Sequence, residues 1–169
     1  EIISLGKKVK NFKIGDIVGV GCMVGSCKSC GSCDEGLEQY CENGGLFTYN
    51  SPDPILGGAT FGGYSKNIIV DKEFVVRVPK NLDLKAVAPL LCAGITVYSP
   101  LKHWKVKSGD KIGVIGLGGL GHMAVKIAKA MGCDVTIITT SKNKCSDAEK
   151  LGASGVLISK DEISMRKYH

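Results

Sequence analysis

Four cysteines crowd into fifteen residues of this 169-residue chain, in the spacing C-x2-C-x2-C-x7-C. They are Cys27, Cys30, Cys33 and Cys41. Four thiolates so close in sequence can surround one tetrahedral ion, and zinc suits an all-sulfur site with bonds of about 2.3 Å. The segment between the cysteines is too short and too polar to build a core of its own. We therefore expect a structural zinc ion to hold it in shape.

Two other interpretations of this spacing are open. The run C-x2-C-x2-C also begins the iron–sulfur motif of bacterial ferredoxins, but that motif continues as x3-C-P. Here the fourth cysteine comes after seven residues and precedes Glu42. Two disulfides are the other alternative. The four remaining cysteines are scattered at Cys22, Cys92, Cys133 and Cys145, which favours a reducing compartment over a disulfide framework. We expect a cytoplasmic protein and favour zinc.

The hydrophobic pattern changes near residues 79–93, which predicts two domains, 1–91 and 92–169. The first is predicted to be β-rich, without a long helix. Its predicted strands lie within 9–20, at 64–70 and at 73–78, and 44–63 is predicted to be a loop because it is rich in Gly, Pro, Asn and Ser.

The second half alternates strands and helices. Helices are predicted at 83–91, 93–101, 119–131 and 144–151, and buried strands at Lys111–Ile115, Asp134–Thr139 and Gly155–Ile158. A strand–helix–strand–helix–strand order predicts an α/β fold whose parallel sheet has right-handed crossovers.

A glycine-rich turn follows the first of these strands. The residues Gly116, Leu117, Gly118, Gly119, Leu120 and Gly121 fit the pattern G-x-G-x-x-G between a predicted strand and a predicted helix. That context is the one in which the pattern binds a dinucleotide. The first glycine allows the tight turn, the second lets a pyrophosphate approach the backbone, and the third lets helix and strand pack closely. The alternative is a glycine-rich turn without a ligand.

The end of the next strand indicates which dinucleotide binds. NAD-binding chains place an Asp or Glu there to hold the ribose 2′-hydroxyl. This chain has no carboxylate at that position and instead offers hydroxyl groups and lysines, namely Thr139, Thr140, Ser141, Lys142 and Lys144. A 2′-phosphate would meet donors rather than a repelling charge. We therefore predict NADP(H), although the lysines can also be read as solvated helix-cap residues.

The chain's excess positive charge lies in this second half. Residues 92–169 carry twelve basic and six acidic side chains, whereas 1–91 carry ten of each. An anionic ligand is thus expected in the second domain. The lysines are spread out with few aromatic residues among them, so we predict no nucleic-acid partner. No apolar run approaches the length of a membrane span, so no membrane association is predicted.

Taken together, the motifs resemble the zinc-dependent medium-chain alcohol dehydrogenases, and most closely their cinnamyl alcohol dehydrogenase-like branch, which includes NADPH aldehyde reductases. The matching stretches cover nearly the whole chain in order: VGVGCMVGSC at 18–27, GGYS at 62–65, APLLCAGIT at 88–96 and GLGGLGH at 116–122. The resemblance implies a partial GroES-like β domain followed by the first half of a Rossmann doubly wound sheet.

The resemblance also implies site residues and an activity. Cys92 is implied to be one ligand of a catalytic zinc, and Thr96 to lie near the nicotinamide. Thr139, Thr140, Ser141 and Lys144 fall where the family holds the 2′-phosphate. The implied reaction is hydride transfer between the cofactor and a small primary alcohol or aldehyde, in an enzyme that is a homodimer at full length.

The resemblance further predicts that this chain is an internal fragment and inactive alone. The family's two other catalytic-zinc ligands are expected upstream of Glu1, and the second half of the Rossmann sheet downstream. Two alternatives are a non-catalytic zinc-binding module and a zinc-independent quinone or enoyl reductase of the same fold. The four-cysteine segment and Cys92 disfavour the reductase, and the strand–glycine turn–helix unit disfavours the module.

Overall fold

The computed structural model describes residues 1–54 and 56–166. Within it the chain divides between Leu91 and Cys92 into two compact units. Residues 167–169, with which the second predicted domain ends, lie outside the described part. Each unit is best understood from its own contacts.

The first unit is built from short antiparallel pairings and tight turns. Its strands are β1 (Val18–Val20), β2 (Met23–Gly25), β3 (Leu46–Phe47) and β4 (Val75–Arg77). β1 pairs with β4, and β2 pairs with β3. Its helices are α1 (Gly31–Asp34) and α2 (Leu84–Val87), with single 3₁₀ turns at Glu38–Tyr40, Gly62–Tyr64, Lys72–Phe74 and Ala88–Leu91.

One prediction for this unit was wrong, and two others differ from the structure in their bounds. The predicted strand 64–70 does not form: Gly62–Tyr64 is a 3₁₀ turn and no regular structure follows it up to residue 70. An alternating pattern makes a strand only when a neighbouring strand accepts its hydrogen bonds. Here the Ser65 hydroxyl donates instead to the carbonyls of Gly62 and Asn67. The predicted loop 44–63 contains β3, and the predicted strand 73–78 shrinks to β4 because a 3₁₀ turn precedes it.

The second unit confirms the predicted α/β fold. Its parallel sheet consists of β5 (Lys111–Ile115), β6 (Asp134–Thr139) and β7 (Gly155–Ile158), in that spatial order. All three have the predicted bounds. β6 is buried between two neighbours, as its run of β-branched residues predicts. β5 was also predicted to be buried, but its Lys111, Gly113 and Ile115 are exposed. The helices are α3 (Ala93–His103), α4 (Gly119–Ala130), α5 (Cys145–Lys150) and α6 (Glu162–Arg166). α4 and α5 are slightly shorter than predicted.

The hydrophobic core of the second unit lies between the sheet and its helices. β6 is the middle strand, and its Val135 and Ile137 are completely buried. They pack with residues of the helices and turns around them, namely Leu117, Val125, Ala128, Cys133 and Ala148. This core fixes the carboxyl ends of β5 and β6, where the glycine-rich turn and the lysine-containing segment begin.

In the described part of the chain, no single helix has the length and apolarity needed to cross a membrane. Two helical segments separated by a bend, Leu84–Leu91 and Ala93–His103, meet the criteria of length and composition only when they are taken together.

Candidate zinc centre and nucleotide-binding turn

The four clustered cysteines converge in space. Their Sγ atoms all lie within 4.8 Å of one another, and the Cys27 and Cys33 sulfurs are 3.9 Å apart. A tetrahedron with metal–sulfur bonds of about 2.3 Å has edges of about 3.8 Å. The four sulfurs therefore fit around a single ion with only a small contraction.

Short elements of the first unit place these sulfurs. Cys27 follows the end of β2, and Cys41 follows the 3₁₀ turn Glu38–Tyr40. Cys30 is the N-cap residue of α1 and Cys33 lies within that helix. Residues three apart on a helix lie on the same face, so both sulfurs point to one side. Cys30 and Cys33 are buried, and the other two cysteines are half-buried.

Nitrogen donors surround the cluster. The backbone N–H of Cys27 donates to the Cys41 sulfur and that of Glu42 donates to the Cys30 sulfur, each at 3.4 Å. The side-chain amide of Asn43 donates to the Cys27 sulfur at 3.3 Å. This amide, followed by hydrogen bonds from Ser29, lowers the pKa of the Cys27 thiol from 9.0 to about 5. A lowered pKa favours the thiolate, which is the form of cysteine that binds metal.

Two disulfides or an iron–sulfur cluster would fit the geometry of the four sulfurs less well. The 3.9 Å between the Cys27 and Cys33 sulfurs is far longer than a disulfide bond of about 2.05 Å. A multi-iron cluster holds its cysteines around several metal atoms. Its ligands would have to spread farther apart than these sulfurs do.

The glycine-rich turn has the geometry that its sequence predicts. Gly116 has φ of 86°, in the left-handed region that glycine adopts without strain. Its N–H donates to the Ile138 carbonyl at 2.8 Å, which ties the start of the turn to β6. A Cβ added at Gly121 would lie 2.1 Å from the Gly116 carbonyl oxygen. Only glycine therefore lets the start of α4 close onto the end of β5.

The turn also leaves room for a ligand. A Cβ built at Gly118 or Gly119 would meet no atom within 4 Å. These two glycines mark the beginning of α4, a twelve-residue helix. The first N–H groups of a helix lack partners within it and favour an anion. The turn is thus an open cradle of the kind that a pyrophosphate fills.

The segment after β6 is joined to this turn by a lysine. The Lys144 amine donates to the Leu117 carbonyl at 3.1 Å. Thr139 is buried, and its hydroxyl accepts the Ser141 N–H at 3.2 Å, so it shapes the end of the strand. Thr140 is exposed and Ser141 half-buried. The structure brings Lys144 to the turn, and the predicted contacts of this segment with a 2′-phosphate stay predictions.

Sequence reasoning missed one residue that contacts the turn. His122 lies within α4, and its Nδ1 is 2.7 Å from the Gly118 carbonyl oxygen. The backbone N–H of His122 donates to the same carbonyl at 2.9 Å. Because a carbonyl only accepts, Nδ1 must carry a proton in this contact. The signal in the sequence was a histidine directly after the third glycine.

Cys92 and Thr96 lie together at the start of the second unit. Cys92 is exposed at the N-cap of α3, and its carbonyl accepts the Thr96 N–H at 3.0 Å. Thr96 is exposed one turn along the helix. Among the described residues, the four-cysteine cluster is the only group of three or more His, Cys, Asp or Glu side chains close enough to hold a metal. Cys92 belongs to no such group, so its role as a zinc ligand stays a prediction.

Comparison with known proteins covers both units. Residues 1–80 match the family described as "Alcohol dehydrogenase GroES-like domain", and residues 119–168 match "Zinc-binding dehydrogenase". The chain is 53% identical over 167 residues to NADP-dependent alcohol dehydrogenase C 1 of Mycolicibacterium smegmatis, covering 98% of this chain and 48% of the relative.

Solved structures agree in fold. A cinnamyl alcohol dehydrogenase from Sorghum bicolor matches with a TM-score of 0.91 and 47% identity, over 98% of this chain and 47% of that one. The structure of CAD from Helicobacter pylori, in complex with NADP(H), matches with a TM-score of 0.85 and 51% identity, over 92% of this chain and 45% of that one.

A GroES-like domain followed by a dinucleotide-binding α/β sheet defines the class of medium-chain dehydrogenases. Over both units, this chain is similar to the NADP-dependent and cinnamyl alcohol dehydrogenases. The chain spans just under half the length of the relatives that it matches.

Proposed function

We propose that the protein is a zinc-containing, NADP(H)-dependent alcohol dehydrogenase or aldehyde reductase. The observation that carries this proposal is the presence, in one chain, of a four-sulfur cluster of tetrahedral size and an open glycine turn. Beside that turn lies a segment with lysines in place of the carboxylate expected of an NAD-binding chain. The names of the relatives support the same function and favour it over a quinone or enoyl reductase.

In this proposal, one group of residues holds the structural zinc and another binds the coenzyme. Cys27, Cys30, Cys33 and Cys41 would hold the structural zinc, which shapes the first unit. Gly116, Gly118 and Gly121 would leave the backbone of the turn open to a pyrophosphate, while Lys144 and the hydroxyl groups beside it would bind the 2′-phosphate that distinguishes NADP from NAD. When bound, the nicotinamide supplies or accepts hydride and the catalytic zinc polarises the substrate oxygen.

We propose that this 169-residue chain does not catalyse the reaction by itself. A catalytic zinc has three protein ligands and one open position. Cys92 is the one residue here that matches such a ligand, and Thr96 would lie beside the nicotinamide. The two domains 1–91 and 92–169, the small alcohol or aldehyde substrate, the homodimer and the cytoplasmic location are parts of the same proposal. The absence of nucleic-acid and membrane partners stays a prediction.

Zinc content tests the metal part of the proposal. We expect about one tightly held zinc per chain, measured by inductively coupled plasma mass spectrometry after gel filtration. The variant Cys92→Ser should keep that zinc, because Cys92 belongs to no metal-sized group of described side chains. A chain without zinc would contradict the structural site. Two tightly held zinc ions per chain would contradict the proposal that these residues supply only one ligand of the catalytic zinc.

Coenzyme selectivity tests the phosphate part. We expect Lys144→Glu to weaken NADPH binding by about 10- to 100-fold more than NADH binding, because a charge-assisted hydrogen bond to the 2′-phosphate is worth roughly 1.5–3 kcal/mol. Some loss is expected with both coenzymes, since the Lys144 amine also supports the Leu117 carbonyl. Isothermal titration calorimetry with each coenzyme gives the ratio.

The matched control is Lys150→Glu, which makes the same charge change at an exposed position in the last turn of α5. It should leave the NADPH-to-NADH ratio within about twofold of the parent chain. Equal losses of both coenzymes in Lys144→Glu would show that Lys144 supports the turn without recognising the 2′-phosphate.

A further inference from the structure

The four sulfurs of the proposed zinc site differ in their access to solvent. Cys30 and Cys33 are 8% and 9% exposed. Cys27 is half-buried and lines a cavity of about 510 Å³ on the surface of the first unit. Asn43 lines the same cavity. Cys27 is therefore a sulfur that a reagent in solvent can approach, and Asn43 lies beside it.

The segment that carries Asn43 is pinned to the cluster from two sides. The Glu42 N–H donates to the Cys30 sulfur, while the Glu42 carboxylate accepts the Ser32 N–H at 3.3 Å, near the start of α1. The Gly44 N–H donates to the Cys41 carbonyl at 3.1 Å and closes a turn around Asn43. These contacts fix the backbone on both sides of Asn43, so its amide is aimed at the Cys27 sulfur.

Hydrogen-bond donors stabilise a metal centre that is built from four thiolates. Four thiolates around one divalent ion carry a net charge of about −2. Donors to the ligands orient them and stabilise that charge. Two of the N–H···S contacts found here come from the backbone and survive any substitution except proline. The contact from Asn43 comes from a side chain and can be removed without touching a ligand.

We propose that Asn43 is a positioning residue of the zinc centre: its amide holds the Cys27 sulfur in place and covers the side that faces the cavity, so that retention of zinc depends on it. The proposal rests on the structural zinc of the proposed function. It assigns Asn43 no direct bond to the metal.

The test compares two variants with a control on the zinc-loaded 169-residue chain. Asn43→Leu keeps the approximate size and removes the donor. Asn43→Asp keeps the shape and places a negative charge against the thiolate. Asn81→Leu is the control, because Asn81 is exposed in a turn of the same unit. The readout is the rate of zinc release to excess EDTA, followed with a colorimetric zinc indicator.

Removing a partner of a metal ligand typically costs 10- to 100-fold in metal affinity. We expect release to be about tenfold faster in Asn43→Leu and faster still in Asn43→Asp, with Asn81→Leu within twofold of the parent chain. If both Asn43 variants release zinc at the rate of the control, the proposal is wrong. If the parent chain holds no zinc, the structural site itself fails, which is a different result.

Two further readouts separate positioning from a general loosening of the fold. With Co²⁺ in the site, loss of an N–H···S bond should move the sulfur-to-metal charge-transfer band to lower energy while the tetrahedral d–d bands persist. With iodoacetamide, which forms an S–C bond as iodide leaves, Cys27 should be the first cysteine of the cluster to be alkylated in Asn43→Leu. Unchanged charge-transfer bands, or first alkylation of Cys41, would overturn the assignment.

Discussion

Cys33→Ser should abolish zinc binding and unfold the first unit. Within the described part of residues 1–91, the buried hydrophobic residues are Val24, Cys30 and Cys33, and two of these three belong to the metal cluster. A structural zinc can supply about 10–16 kcal/mol of folding free energy. A whole domain is stable by only about 5–15 kcal/mol. Without the ion, this unit has too small a core to stay folded.

The measurement combines zinc content with limited proteolysis read by mass spectrometry. In Cys33→Ser, new cleavage sites should appear throughout 1–91 and be absent from the parent chain. Sites within 111–158 should stay protected, because the core around Val135 and Ile137 consists of residues of the second unit alone. Cys92→Ser is the control and should digest like the parent. A zinc-free Cys33→Ser chain with the parent's cleavage pattern would refute the dependence of this unit on its metal.

The same difference between the units explains where sequence reasoning succeeded. The strands of the second unit have the predicted bounds because β6 is buried between two neighbours, which demands a run such as Val135 to Ile138 whatever the details of packing. The first unit offers no such constraint. Alternation within 64–70 predicted a strand, yet Ile69 is 75% exposed and has no strand partner among the described residues.

The candidate sites also combine features that the sequence could predict with features that it could not. Cysteine spacing and the glycine pattern are local, so the sequence could predict both. The contacts of Asn43 with Cys27 and of Lys144 with Leu117 join residues 16 and 27 positions apart, and only the folded backbone determines them. Thr139 shows another such limit. Its residue type and position are local, but only the folded backbone determines that its hydroxyl accepts the Ser141 N–H, and its contact with a 2′-phosphate stays a prediction.

Gly121→Ala and Gly118→Ala should both abolish coenzyme binding, but for different reasons. At Gly121 the added methyl group would collide with the Gly116 carbonyl oxygen, so helix and strand must separate. Overpacking of this kind costs about 1–3 kcal/mol. For a unit of this size it should lower the Tm by roughly 5–20 °C. At Gly118 the methyl group meets no protein atom within 4 Å. It should leave the Tm within a few degrees while filling the space that a pyrophosphate needs.

Differential scanning calorimetry and titration with NADPH on the same two variants distinguish these causes. We expect at least a 100-fold loss of NADPH affinity in each, with a large drop in Tm for Gly121→Ala alone, because only that methyl group has a protein atom to collide with. Full NADPH affinity in Gly118→Ala would mean that the open face of the turn is not where the coenzyme binds. An unchanged Tm in Gly121→Ala would mean that α4 can move away from β5 at little cost. The third glycine would then not be what holds the strand, the turn and the helix in their binding geometry.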